Sequence, residues 1–263
     1  MSDLSAELLT ALRTLLDAGD EGGARRLIAA HREWYAQAAG VALQAGRPRL
    51  AALWAEGHAP LLHAAALLRL GEAQATLHIL EAQPRSARVQ TLRARAKRSL
   101  PDALEARESA RQEGDGPALV AAVTLLGELL LTTDPKAALL ALAEGLKVAE
   151  LLNAEADAHL LAVLAHVQAR LPLQTGRGGS GKAAKTAQKA LERSAPRSPA
   201  RVLALLSLGR GAEAEAERVA GALSAGLFEI FLKDSALASS AVLRMTPFVE
   251  EQPEGLHASL PDG

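Results

Sequence analysis

Cysteine is absent from this 263-residue chain, which excludes disulfide bridges, thiolate metal sites and cysteine nucleophiles. Aromatic residues amount to only 2%, so the 49% of hydrophobic residues is mostly alanine and leucine, the best intrinsic helix formers. Isoleucine occurs only at Ile28, Ile79 and Ile230, and no segment alternates apolar and polar positions with β-branched residues. A sheet has little to build on, and no strand is predicted. Charge of one sign is lacking too. With 29 Lys and Arg against 30 Asp and Glu, the chain carries no general bias toward nucleic acid or an anionic membrane surface. The longest apolar run, 117–131, is interrupted by Glu128 and is shorter than the ~20 residues a membrane-spanning helix needs, so it reads as a buried helix. Asp3 and Glu7 stand where a secretory leader would be basic, and a cytoplasmic location without membrane contact is expected.

What the chain has is a regular beat of short amphipathic segments. Leu4, Leu8, Leu12 and Leu15 recur at helical spacing and stop at Gly19. A second stretch carries Leu27, Ile28, Trp34 and Tyr35 and is expected to end near Gly40, and a third runs from Arg49 to Gly57. Prolines then open successive segments at Pro60, Pro101, Pro117 and Pro135, where their fixed φ suits a first helical turn. Further helices are predicted over 156–171, 182–194, 199–208 and 212–224, with a longer one near 227–244. None exceeds about 20 residues, so each must bury its apolar face on its neighbours.

Two segments, PKAALLALAEGLKVAELLNAEADAHLLAVLAHVQARL at 135–171 and KAAKTAQKALERSAPRSPARVLALLSLGRGAEAEAERVAGAL at 182–223, resemble tetratricopeptide-type repeats. The likeness lies in small residues at helix crossings (Ala138, Gly145, Ala149, Ala183, Ala190), in Ala190-Leu191 ahead of Pro196, and in the Leu208-Gly209 turn before an acidic, alanine-rich helix. The spacing drifts from the regular ~34-residue period, and no aromatic residue stands where such repeats usually pack one. The resemblance is therefore to a degenerate member. It implies an all-α, right-handed solenoid of antiparallel helical hairpins whose concave groove takes a peptide or helix of another protein. Residues 1–58 would cap the array, 59–246 would form the repeats with a glycine-rich loop at 173–181, and 247–263 would be an acidic disordered tail.

Little in the sequence supports catalysis. Gly176, Gly181 and Lys182 fall on the G-x-x-x-x-G-K spacing of a phosphate-binding loop, but Ala183 replaces the magnesium-binding hydroxyl and no strand precedes the loop. His159 and His166 lie seven apart on one helix, two turns or about 10.5 Å, too far to share a zinc ion. They are expected to be partly exposed helix residues. Ser180 lacks the setting of a nucleophile elbow, and Glu213 with Glu217 reads as solvated surface. No enzyme activity, metal or cofactor is expected.

Charge is the local anomaly. Residues 170–201 hold eight basic side chains against the single acid Glu192, and Lys182, Lys185, Lys189 and Arg193 align as a stripe on one helix face. A second run, Arg85, Arg88, Arg93, Arg95, Lys97 and Arg98, contains no acid. The expected function is a non-enzymatic protein-binding scaffold or adaptor that selects an acidic protein or peptide through Arg177, Lys182, Lys185, Lys189, Arg193 and Arg197. The alternative keeps the fold and lets the 170–201 region contact nucleic-acid phosphates. A nucleotide-binding enzyme using Lys182 ranks third.

Overall fold

The computed structural model describes residues 2–152, 154–171 and 179–232. Among these residues the chain is helical throughout and has no strand. The α-helices are α1 (Ser2–Asp17), α2 (Glu21–Ala29), α3 (Tyr35–Gln44), α4 (Pro48–Ala55), α5 (Pro60–Leu70), α6 (Ala73–Glu81) and α7 (Ala87–Lys97). They continue as α8 (Leu100–Glu113), α9 (Gly116–Leu130), α10 (Pro135–Leu151), α11 (Ala158–Arg170), α12 (Gly179–Arg193), α13 (Pro199–Ser207) and α14 (Gly211–Ala220). Two 3-10 turns, Arg32–Trp34 and Ala225–Phe228, complete the described chain.

Local chemistry explains most boundaries. Pro60, Pro135 and Pro199 open α5, α10 and α13, and the Asp134 and Ser198 side chains accept hydrogen bonds from the free N–H groups of Ala137 and Arg201. Gly71 and Gly114 end α5 and α8 at φ of +88° and +67°, which costs a residue without Cβ nothing. One stretch departs from expectation. The segment expected to end near Gly40 splits into α2, a 3-10 turn and α3, and α3 runs through Gly40 to Gln44. Contacts on α4 and α5 hold α3 past that glycine, so tertiary packing overrides its weak propensity. The run 117–131 forms α9, buried on most of its surface. Among the described residues no helix is long and apolar enough to cross a membrane.

Apart from α2 and α3, which the 3-10 turn Arg32–Trp34 joins, each helix packs on the next, and the odd-numbered helices α1 through α13 also pack on one another in succession. The even-numbered helices meet chiefly their sequence neighbours. Close crossings depend on small residues: Ala138, Ala149, Ala183 and Ala190 are buried, and a side chain on Gly145 would collide with Leu160 and Val123. One apolar cluster spans α1 to α5 and a larger one spans α7 to Phe231. Helix α5 packs on both α4 and α6.

The chain then returns on itself. The Ser224 N–H donates to Arg69 O at 2.9 Å, the Arg98 guanidinium donates to Gly226 O at 2.8 Å, and Gly46 abuts Pro196 and Arg197. The segment after α14 therefore lies against α5 and α7, and the odd helices from α3 to α13 line a half-open central cavity.

Candidate functional site

Helix α12 is amphipathic in a simple way. Ala183, Ala187, Ala190 and Leu191 are buried against α11 and α13, and Lys182, Lys185 and Lys189 are exposed on the other side. Thr186 donates its hydroxyl to Gln168 Oε1 at 2.9 Å, fixing the rotation of α12 on α11. Spread over two turns, the lysines form a row about 10 Å long. Among the described residues none of the three has an acidic partner.

The other sequence-predicted residues separate from this row. Arg193 turns aside, donating to Ala156 O at 3.2 Å and pairing with Glu155 at 3.3 Å. Arg197 sits in a tight turn at φ +58°, its N–H donating to Glu217 at 2.6 Å. Arg177 and the loop residues 172–178 lie outside the described residues, as does the acidic segment 247–263; residues 179–181, expected in that loop, belong to α12.

The second basic run behaves differently. Arg88 pairs with Asp115 at 2.7 Å, Arg95 with Glu128 at 3.0 Å and Lys97 with Asp102 at 3.0 Å. Arg85 lies 4.0 Å from Glu105, and Arg93 and Arg98 donate to the carbonyls of Leu80 and Gly226. All six cations thus have partners within the chain, those of Arg85 and Arg88 on its surface.

The central cavity, about 630 Å³, gathers residues that sequence reasoning did not select as a site. Arg69 of α5, Arg95 of α7, Glu128 of α9 and His159 of α11 line it together. Glu128 accepts from Arg95 and from His159 Nε2 at 2.8 Å. Burial alone pushes the Glu128 carboxyl up, but the Arg95 guanidinium and His159 pull it down to about 2. Arg69 donates to Leu43 O at 2.6 Å. Burial and the nearby Arg95 charge lower its value to about 10. Two signals could have marked these groups: Glu128 interrupts an apolar run, and Arg69 stands next to last in PLLHAAALLRL, where only His63 is also polar.

The two α11 histidines face different partners. His159 turns to Glu128, whereas His166, expected to be partly exposed, is buried: it donates to Leu203 O at 3.0 Å and packs on the Phe231 ring. Burial lowers its value to about 4, so the ring is neutral near neutral pH. Glu213 pairs with Arg210 on the surface, but Glu217 is largely covered, pairing with Arg201 at 2.7 Å and accepting from the Arg197 N–H. Its role is to staple α14 to the start of α13. No protein-family model, no curated protein and no solved structure matches the chain.

Proposed function

We propose that this chain is a tetratricopeptide-like helical-repeat scaffold, without catalytic activity of its own, that docks an acidic segment of a partner protein on the lysine face of α12. The solenoid reading draws support from the successive packing of the odd-numbered helices and from the small residues at the crossings. One observation carries the docking reading. In a molecule where the cations of 85–98 all find partners within the chain, Lys182, Lys185 and Lys189 are exposed and unpaired in a row. Like charges at this spacing cost a helix a few tenths of a kcal/mol per pair, which an anionic partner recovers.

The test is pull-down from nuclease-treated lysate of the source cells with wild type and with Lys182→Glu, Lys185→Glu, Lys189→Glu combined. A protein partner that survives nuclease and is lost with the triple variant supports the reading. A partner that disappears with nuclease transfers the face to nucleic-acid phosphates. Equal recovery by both forms removes the lysine face from the function.

A further inference from the structure

We propose that the central cavity binds a small amphipathic organic anion, an apolar body bearing one carboxylate, with the Arg69 guanidinium as its anchor. The space is suitable, because about 630 Å³ falls within the roughly 300–1,000 Å³ of pockets that enclose small ligands. The walls are largely apolar, with Leu43, Leu68, Leu92, Leu125, Leu203 and Phe228 among them, and these suit an aliphatic or aromatic body.

The polar groups specify the head. Arg69, Arg95, Arg98 and Arg193 line the cavity against two carboxylates, Glu128 and Asp157. Both carboxylates are already committed: Glu128 to Arg95 and His159, and Asp157 to the free N–H groups of His159 and Leu160 at the start of α11. Arg98 donates to the Gly226 carbonyl, and Arg193 to Ala156 O with Glu155 beside it. Arg69 has no carboxylate. Its Nη1 donates to Leu43 O, and its other N–H groups have no protein partner among the described residues. A half-buried cation without a counter-ion is poorly solvated, and here Arg95 adds repulsion. With Nη1 engaged, Nε and Nη2 form the fork that takes a carboxylate through two parallel hydrogen bonds. One free fork calls for one carboxylate, and the ionised Glu128 in the same cavity opposes further negative charge.

Calorimetric titration of the full chain with octanoate, and with octanol as its uncharged counterpart, tests this. Octanoate is expected to bind saturably, one per chain and at least tenfold more tightly than octanol. Arg69→Met should bring octanoate down to the level of octanol, and Arg69→Lys should restore part of the difference, with circular dichroism confirming that each variant is folded. The triple α12 lysine variant should bind octanoate as wild type does. Octanoate no tighter than octanol in wild type overturns the proposal without recourse to any variant. So does undiminished binding by folded Arg69→Met, or loss of binding in the α12 variant, which would place the anion on the lysine face. Octanoate binding only when Glu250, Glu251, Glu254 and Asp262 are changed to their amides would assign the cavity to the chain's own acidic segment, and also overturns it.

Discussion

On α7 and the residue after it, Arg88, Arg95, Lys97 and Arg98 each reach a partner on another element, whereas Lys182, Lys185 and Lys189 on α12 reach none. The two runs look alike as strings of basic residues. What separates them is where their helices sit. Helix α7 belongs to the row that packs on itself, with α5, α6, α8 and α9 around it, so its cations meet Asp102, Asp115 and Glu128. Helix α12 packs on α11 and α13 through its alanine side and leaves the other side to solvent. A run of cations is thus no measure of available charge. Availability depends on what the neighbouring helices bring, and this predicts opposite responses to mutation in the two regions.

The largest response is expected at Arg95. Arg95→Ala leaves Glu128 buried beside His159 alone, and breaking such a pair from one side costs about 3–5 kcal/mol. Urea melts at neutral pH will read it. A loss under 1 kcal/mol would mean that the α7 cations are as dispensable as those of α12, and the contrast would fail.

Acid should report the same pair with a slightly smaller effect. Glu128 titrates near 4.5 unfolded and about 2 folded, so its stabilisation is complete above pH 4.5 and is lost as pH falls toward 2. The loss is about 3 kcal/mol, at about 1.4 kcal/mol per unit. His166 acts in a higher window: with values near 6.5 unfolded and about 4 folded, the unfolded chain takes up the proton first, and stability falls as pH drops from 6.5 to 4. Melting temperatures followed from pH 8 to 2 should therefore decline in two stages. Arg95→Ala should flatten the lower stage and His166→Leu the upper one. A lower stage unchanged in Arg95→Ala would remove Arg95 from the control of Glu128.

The sequence made helix starts legible because proline acts locally: Pro60, Pro135 and Pro199 open helices where expected. Gly40 misled because its fate is decided by α4 and α5. The exposure of Lys182, Lys185 and Lys189 was readable from periodicity, since it follows from the apolar residues opposite, but Arg193 of the same expected stripe turns to Ala156 and Glu155. The partners of α7 were not readable, because Arg88 finds Asp115 across 27 positions and Arg98 finds Gly226 across 128. The cavity escaped for the same reason. Arg69, Arg95, Glu128 and His159 converge because they stand on α5, α7, α9 and α11, successive helices of the odd-numbered row, and that row is set by packing between helices rather than by any local signal.

Surface pairs on α7 mark the middle of the scale. Arg88 and Asp115 sit 2.7 Å apart, but Arg88 is 60% exposed, so solvent screens the pair. Arg88→Ala should cost about 0.5 kcal/mol in the same urea melts, well below Arg95→Ala. A cost equal to that of Arg95→Ala would show that burial does not rank these pairs.

The smallest stability effect is expected on α12, where the functional effect is expected to be greatest. Changing Lys182, Lys185 and Lys189 together to Glu keeps good helix formers on an exposed face and breaks no ion pair among the described residues. The replacement trades one like-charge row for another, so repulsion along the helix barely changes. Lys182 stands three residues after Gly179 in the first turn, where a carboxylate suits the helix dipole better than an ammonium does. Stability should stay within about 0.5 kcal/mol of wild type, with any shift toward greater stability. Partner binding should fall, and wild-type affinity should weaken as salt rises through the physiological range, because exposed charges act only within a screening length of about 8 Å. A melt and a salt titration on the same preparations separate the two effects. If the triple variant loses several degrees of melting temperature, the lysines hold the fold as the α7 cations do, and the difference between the two helices disappears.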